Sequence, residues 1–403
     1  MTRADNLPPL RVLVWSPTGF GEHYNGPANS MKRLFARVTS RHRLHLTVVY
    51  ATDRQGEMAP FVDESVRLGS SDPVPGRPIR TALQTASYML QAIPWLVRRR
   101  RHFDAIVFAT PSIHCLLPGL TARALGIRAI GRIAAAESEL YDTSRLKARI
   151  GWSRRRGALL ARFSGIIALS RQISTRLAEL GVPPSRIYQL PNGADCNRFD
   201  VAGPAERLAL REAFGVPAEA FCIVCAGRIG DRKGQGVAIE AIANLPGVHL
   251  LLAGPFDDAA TEARFRSLVE QKGLRGRVHF AGQLDRVEEA YKASDAFILM
   301  SQGEGMPNAM VEAMACGLPA IGTDVSGIPD LIGNDERGFV VARDPEVVAA
   351  TVKRMMADPA AHAAMGRAAR AFIVANQSSD FIADRLYEIL RASPGAAPIA
   401  AGR

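Results

Sequence analysis

Two acids eight residues apart, Glu304 and Glu312, bracket a glycine-containing turn in the segment SQGEGMPNAMVEAMACGLP, Ser301 to Pro319. An apolar run, Ala296 to Met300, leads into that turn, and Pro307 can open a helix because its missing N–H would have had no helical partner there. Gly317, with Pro319 beyond it, closes the helix. The first amides of such a helix, those of Asn308, Ala309 and Met310, face out of its start and form a ready site for an anion. Carboxylates do not bind phosphate, so the work left for Glu304 and Glu312 is with hydroxyl groups, for which a sugar and a ribose are the natural partners. Taken singly, Glu304 reads equally well as a turn residue and Glu312 as a solvated helix residue. Their spacing together with the glycines favours the binding role. A second loop, in AGRIGDRKGQGVAIEAI (Ala226 to Ile242), places Arg228 and Lys233 between a strand end and a helix. Two cations five residues apart on a turn can converge on one diphosphate, at about 1.5–3 kcal/mol for each charge-assisted hydrogen bond. The plain alternative is a basic solvated loop.

Strands and helices that alternate along the whole chain must hold these loops. LRVLVW (Leu10 to Trp15), LHLTVVYA (Leu44 to Ala51), DAIVFAT (Asp104 to Thr110), RAIGRIA (Arg128 to Ala134) and GIIALS (Gly165 to Ser170) are unalternating apolar runs, as parallel strands covered on both faces require. A helix over Ala28 to Val38 separates the first two. The second half repeats the scheme with FCIVCAG, HLLLAGP, VHFAG, AFILMS and PAIGTD, with helices at Gly236 to Ala243 and Ala259 to Lys272. The expected fold class is therefore α/β, with two Rossmann-like, doubly wound parallel-sheet domains. The Pro, Asn and Gly punctuation of LPNGADCNRFDVAGP (Leu190 to Pro204) marks the linker, giving domains 1–195 and 196–377. A terminal helix near Ser378 to Ala392 and a frayed tail make up 378–403.

With these loops in place, the segment Ser301 to Pro319 resembles the E-x7-E motif of the retaining GT-B glycosyltransferases, glycosyltransferase family 4 above all. The resemblance implies that Glu304 contacts the donor sugar, Glu312 the ribose, and that Gly305, Met306 and Pro307 line the sugar. It also implies that Arg228 and Lys233 hold the diphosphate. HFAGQLDRVEEAYKASDAFILMS (His279 to Ser301) is similar to the family segment whose backbone, here near Gly282 to Leu284, reads the base. PNGADCNRF (Pro191 to Phe199) and DVSGIPDLI (Asp324 to Ile332) resemble its interdomain signature and the loop after its last strand. The likeness is specific from about Ser185 to Val341 and holds in outline over the first half. There the opening loop, SPTGFGEHYNGPANS, departs from the usual pattern, although Gly19, Gly21 and Gly26 still let backbone approach a ligand. A histidine frequent in the family falls on Thr110, not His114, and a second is replaced within AAAES (Ala134 to Ser138). His114 reads rather as a structural residue; Glu137 or Glu139 are alternative contacts to sugar or acceptor, and His23 is undecided.

The implied architecture is GT-B, with the donor on the second domain, the acceptor on the first, and a last helix returning to the first. The implied activity is retaining transfer of a sugar from a nucleotide diphosphate donor, assisted by the leaving phosphate. Neither a cofactor nor a metal is expected: there is no convincing Asp-x-Asp site, and Cys222 and Cys225 lie inside a strand-like run with no second cysteine pair. The rival readings are a sugar-nucleotide epimerase of the same shape, a glycogen phosphorylase-like enzyme and a non-catalytic sugar-nucleotide binder.

Composition sets the outer limits. A chain of 403 residues exceeds one ordinary core, and 47% apolar with 22% charged residues is globular. Five scattered cysteines fit reduced thiols, and the interrupted apolar run at the N-terminus leaves cytoplasmic residence as the expectation. Residues 1–195 carry 28 Lys and Arg against 13 Asp and Glu, a net of +15, while 196–403 carry 22 against 26, a net of −4; together these are the chain's +11. The first half thus faces something anionic. No helix-turn-helix, finger or RNA-binding signature accompanies the charge, so nucleic acid is set aside. An anionic membrane surface or a phosphorylated acceptor fits the charge better; the acceptor expected first is a lipid-linked or cell-surface glycan, with a small metabolite as the alternative. Two stretches mix clustered Arg with Trp, Leu and Ile, as an interfacial helix does: AIPWLVRRRRHF (Ala92 to Phe103) and SRLKARIGWSRRRGALLARF (Ser144 to Phe163). A helix packed on the sheet with an arginine-rich outer face explains them about as well.

Overall fold

The computed structural model describes residues 8–16, 20, 26–51, 58–69, 78–109, 113–135, 139–142, 149 and 151–392. Contacts divide the chain into two compact units, Met1–Pro191 with Asp380–Arg403, and Asn192–Ser379. The first division therefore falls at Pro191/Asn192, just ahead of the NGADCNRF segment and not within it.

In the first unit, the described residues form β1 (Leu10–Trp15), α1 (Gly26–Arg41), β2 (Leu44–Tyr50), β3 (Glu64–Arg67), α2 (Pro78–Arg98), β4 (Ala105–Phe108), α3 (Ile113–Ala124), β5 (Arg128–Ile133), β6 (Gly165–Ala168) and β7 (Ile187–Gln189). The strands make one sheet, ordered β3-β2-β1-β4-β5-β6-β7, with every pair parallel. β4 and β6 are buried at every position, which is why their sequences run apolar without alternation; β5 is as fully buried but carries Arg128 and Arg132. Helix Ser379–Arg391 belongs to this unit. It buries Ile382, Ala383, Leu386, Ile389 and Leu390 and is tied to the end of α1 by Arg37 with Asp380 and by Arg41 with Asp384 at 2.7 Å.

The second unit contains β8 (Phe221–Ala226), β9 (Val248–Ala253), β10 (Val278–Gly282), β11 (Ala296–Leu299), β12 (Ala320–Gly322) and β13 (Gly338–Val340). They form a second all-parallel sheet, ordered β10-β9-β8-β11-β12-β13. The chain winds outward from β8 through β9 to β10, then returns to pair β11 on the other side of β8. At such a reversal the loops leaving the two neighbours diverge and open a crevice at the carboxyl ends of the strands. The loops leaving β8 and β11 are the two that sequence reading singled out.

Three strands were not expected: β3, β7 and β13, of four, three and three residues. All sit at sheet edges, where one neighbour suffices and the burial pattern is weak; β3 alternates half-buried and exposed. One expectation is thereby corrected. PAIGTD is not the last strand, because DVSGIPDLI leads through helix Ile328–Ile332 to β13.

Candidate functional site

The loop after β8 is folded against the end of β11. Gly234, at φ +75°, lets the backbone pass so close that a Cβ there would lie 2.2 Å from the Met300 carbonyl oxygen. Arg343 fastens the same approach, donating from Nε to the Met300 carbonyl at 2.8 Å and from Nη2 to the Asp231 carbonyl at 2.6 Å. Gln235 closes the loop on itself, its Nε2 donating to the Arg228 carbonyl at 3.1 Å and its Oε1 accepting from the Gly230 amide at 3.3 Å. The result is that Lys233 reaches across the switch point, and its Nζ donates to Glu304 Oε1 at 2.6 Å.

Glu304 is held from a second side. The Ser301 hydroxyl donates to the same Oε1 at 2.6 Å, while the Ser301 carbonyl accepts from Thr323 Oγ1 at 2.7 Å. The side chains of Lys233 and Glu304 are 18% and 9% exposed, so the pair is largely shielded from solvent. Arg232, which sequence reading passed over, is exposed, donates from Nη1 to the Gly303 carbonyl at 2.8 Å and stands 3.7 Å from Glu304. The turn beyond is clamped. Asn192 Nδ2 donates to the Met306 carbonyl at 2.9 Å, Ser326 Oγ to the Gly305 carbonyl at 3.3 Å, and Gly327 packs where a Cβ would fall 2.5 Å from the Gly305 carbonyl oxygen.

Helix Asn308–Ala315 follows, with Pro307 as its cap at φ −74°, ψ 108° and not as its first helical residue. That shift changes the accounting of amides. Met310 N–H donates to the Pro307 carbonyl at 3.1 Å, and the Met310 side chain is buried. The Met310 amide is therefore engaged within the turn, contrary to its expectation as a group facing out of the helix start. At its far end the Ala315 carbonyl accepts from the Arg370 guanidinium, a cation on the end where the helix dipole favours one. Glu312, in the second turn, is a buried residue and not a solvated one; its Oε2 accepts from the Tyr291 hydroxyl at 3.3 Å. Burial foremost, and then the Glu312 charge, holds the Tyr291 phenol well above its ordinary range, so it stays a donor.

Arg228 is not drawn into the Lys233–Glu304 contact. It lies 3.7 Å from Asp257, both side chains about half exposed. Gly282 ends β10 at φ +66°, and its carbonyl accepts from the Gly254 amide at 2.7 Å, which ties this segment to the end of β9; Leu284 beyond it is half-buried. Both thiols of the C-x-x-C are buried, Cys222 pushed up to about 11 and Cys225 to about 12, chiefly by burial. Among the described residues no cluster of His, Cys, Asp and Glu has the makings of a metal site.

In the first unit, Gly26 begins α1. Gly19, Gly21, His23, Thr110 and Glu137 lie outside the described residues. His114 is set against α2: Nε2 is 3.2 Å from Thr85 Oγ1, and the ring meets Tyr88 edge-on at 5.3 Å. Burial lowers its pKa, as befits a packed neutral imidazole. Glu139 accepts from the Ala134 amide at 2.8 Å beside buried Arg132 and is pushed up to about 7, mainly by burial.

Two families match this chain. Residues 206–372 match the one described as Glycosyl transferases group 1, and residues 25–193 match the Glycosyl transferase 4-like domain. The D-inositol 3-phosphate glycosyltransferase of Xylanimonas cellulosilytica is 31% identical over 222 residues, 53% of this chain and 53% of that protein. The alignment thus spans about half the length of that relative. The GDP-mannose-dependent alpha-(1-6)-phosphatidylinositol monomannoside mannosyltransferase of Mycobacterium tuberculosis is 26% identical over 374 residues, 88% of this chain and 91% of that protein. Among solved structures, Anabaena Alr3699/HepE in complex with UDP and glucose superposes with a TM-score of 0.74 at 20% identity, covering 95% of this chain and all of that one. The two Rossmann-like units are those of the GT-B fold. The second unit thus belongs to the Glycosyl transferases group 1 family and the first to the Glycosyl transferase 4-like family.

Proposed function

We propose that this chain transfers a sugar, with retention at the anomeric carbon and without a metal, from a nucleotide diphosphate donor bound by the second unit to a phosphate-bearing acceptor bound by the first. The observation that carries the reading is the Lys233–Glu304 contact at the switch point beside the start of helix Asn308–Ala315. It puts one cation, one acid and a positively dipolar helix end together, as a sugar joined to a diphosphate requires. On this reading Lys233 passes from Glu304 to the diphosphate when the donor enters, and Arg228 joins it from the Asp257 side. Glu304 then accepts from the sugar hydroxyls, and Glu312 from the ribose with Tyr291 as its brace. The two cations supply the charge that a metal would otherwise bring to the leaving phosphate. With no protein nucleophile assigned, the acceptor hydroxyl attacks from the face the phosphate leaves, and that phosphate takes its proton.

The relatives support the acceptor class, since one is named for D-inositol 3-phosphate and the other for a phosphatidylinositol monomannoside, both rich in hydroxyls and phosphate. The net +15 of residues 1–195 suits such a partner. The test is release of nucleoside diphosphate from a panel of UDP- and GDP-sugars, with inositol phosphate or phosphatidylinositol as acceptor, in the presence of a chelator. Formation of an α-linked product from an α-linked donor supports the reading. Conversion of the donor to its epimer with no acceptor present would replace it with the epimerase alternative.

A further inference from the structure

Helix α2 has two apolar sides, and the fold uses only one of them. Tyr88, Ala92 and Leu96 are fully buried, the Tyr88 hydroxyl accepting from Trp15 Nε1 at 2.5 Å. On the opposite side Leu83, Ala86, Leu90, Pro94 and Val97 are exposed, Leu83 at 66% and Leu90 at 76%. At 3.6 residues per turn these five fall within an arc of roughly 80° that faces away from the buried three. Between Thr81 and Val97 the helix carries no Asp, Glu, Lys or Arg, although a helix face turned to water normally carries such groups.

The stripe ends in arginines. Arg98, Arg100 and Arg101 are exposed, whereas Arg99 turns back to Glu64 and lies over the Trp95 ring at 5.3 Å. The turn that bears them is fixed, because the Arg101 carbonyl accepts from Arg11 Nη1 at 2.8 Å and Arg11 is paired with Asp104 at 2.7 Å. Residues 144–148 and 150 of the second basic stretch lie outside the described residues, and its described residues lack this arrangement. Helix Trp152–Leu160 turns Arg156 inward, its guanidinium 5.7 Å from the Trp152 ring centre, and no large apolar side chain is exposed among its described residues. No helix of the described residues is long and apolar enough to cross a membrane.

We infer that the outer face of α2 lies flat on an anionic lipid surface, with Leu83, Leu90 and Val97 entering the acyl boundary and Arg98, Arg100 and Arg101 meeting headgroup phosphates. An apolar stripe alone would suit a second copy of this chain equally well. The outward arginines at its end decide for lipid, since they match the charge of that surface and not of an apolar partner. The inference goes beyond sugar transfer and does not depend on it.

The test is flotation of the full chain with vesicles of phosphatidylcholine alone and of phosphatidylcholine mixed with phosphatidylglycerol. Wild-type protein should float with the mixed vesicles and far less with the neutral ones. Arg98→Gln/Arg100→Gln/Arg101→Gln should weaken that binding on the order of a hundredfold, about fivefold for each charge near the surface. Leu83→Glu/Leu90→Glu should abolish it; these positions are exposed, so thermal unfolding should be unchanged. Donor turnover toward a water-soluble acceptor, measured on the same variants, should also be unchanged, which separates failure of the lipid surface from failure of the transfer reaction. Wild-type protein that stays unbound, or variants that float as well as wild type, would overturn the inference. So would a dimer that Leu83→Glu/Leu90→Glu renders monomeric without any vesicle binding, since the face would then meet a second copy.

Discussion

Replacing Lys233 by methionine keeps most of the side chain's length and removes only its charge and its three donors. In the structure that charge sits 2.6 Å from Glu304 Oε1, in a place where the two side chains are 18% and 9% exposed. Two effects follow, and they have different remedies. For stability, a largely buried carboxylate loses its nearer cation and keeps Ser301 and the exposed Arg232 at 3.7 Å, at a cost of roughly 1–3 kcal/mol. For catalysis, one charge-assisted hydrogen bond to the leaving diphosphate disappears, worth about 1.5–3 kcal/mol, or about 10- to 150-fold in kcat/KM. Charge on that phosphate grows as the glycosidic bond breaks, so the loss should fall mainly on kcat. Adding Glu304→Gln removes the stranded charge. The double variant Lys233→Met/Glu304→Gln should therefore recover stability relative to Lys233→Met while falling further in activity. Thermal unfolding and nucleoside diphosphate release, run on both single variants and the double, read the two effects separately. If Lys233→Met keeps kcat/KM within about twofold of wild type, or if the double variant regains activity along with stability, Lys233 has no part in the reaction.

Gly234→Ala forces a Cβ to within 2.2 Å of the Met300 carbonyl at a residue with φ +75°, and should lower stability by about 2 kcal/mol or more, visible as a fall in Tm. Tyr291→Phe strips Glu312 of a donor at 3.3 Å without disturbing the packing, and should weaken nucleoside diphosphate binding about fivefold in calorimetry. An acid limb of stability should come from His249 and His279, whose Nδ1 and Nε2 stand 3.0 Å apart. Burial lowers the pKa of both, helped by Arg277 and Arg211 at His249 and by His249 at His279. A histidine whose folded pKa is depressed favours the native state only while neutral. The stability is thus present above the ordinary value of 6.5 and is lost as pH falls below it through the lowered folded values. Tm measured downward from pH 7 should drop more steeply in wild type than in His279→Gln, and equal slopes would rule the pair out as the cause.

The reach of sequence reading in this protein follows the range of the forces involved. Strands buried on both faces announce themselves as apolar runs, because every side chain of β4 and β6 meets a covering layer. Lys233 and Glu304 were singled out by motif spacing and the resemblance it carries, since each residue type alone suits an ordinary loop; neighbouring parallel strands bring the two loops together. What stayed hidden depends on partners far away in sequence. Asn192 holds the Met306 carbonyl from 114 residues away, and Arg343 secures Met300 from 43 residues on; neither position has a local signature, since any polar side chain satisfies a loop pattern. Asp257 beside Arg228 and Tyr291 beneath Glu312 are of the same kind.

The arginine runs make the case most sharply. As a string, Arg98 to Arg101 is one block of positive charge. The end of α2 splits it, because Arg98 is the last helical residue and the chain turns from Arg99 on. Arg99 turns back to Glu64 and the Trp95 ring, while Arg98, Arg100 and Arg101 are left outward. Arg154, Arg155 and Arg156 divide the same way, with only the last turned in. Net charge therefore overstates what a partner can feel. The +15 of the first 195 residues is a sum over inward and outward groups alike, and a surface responds only to the outward ones and to the apolar face beside them. That face, on α2, is where the first unit has both.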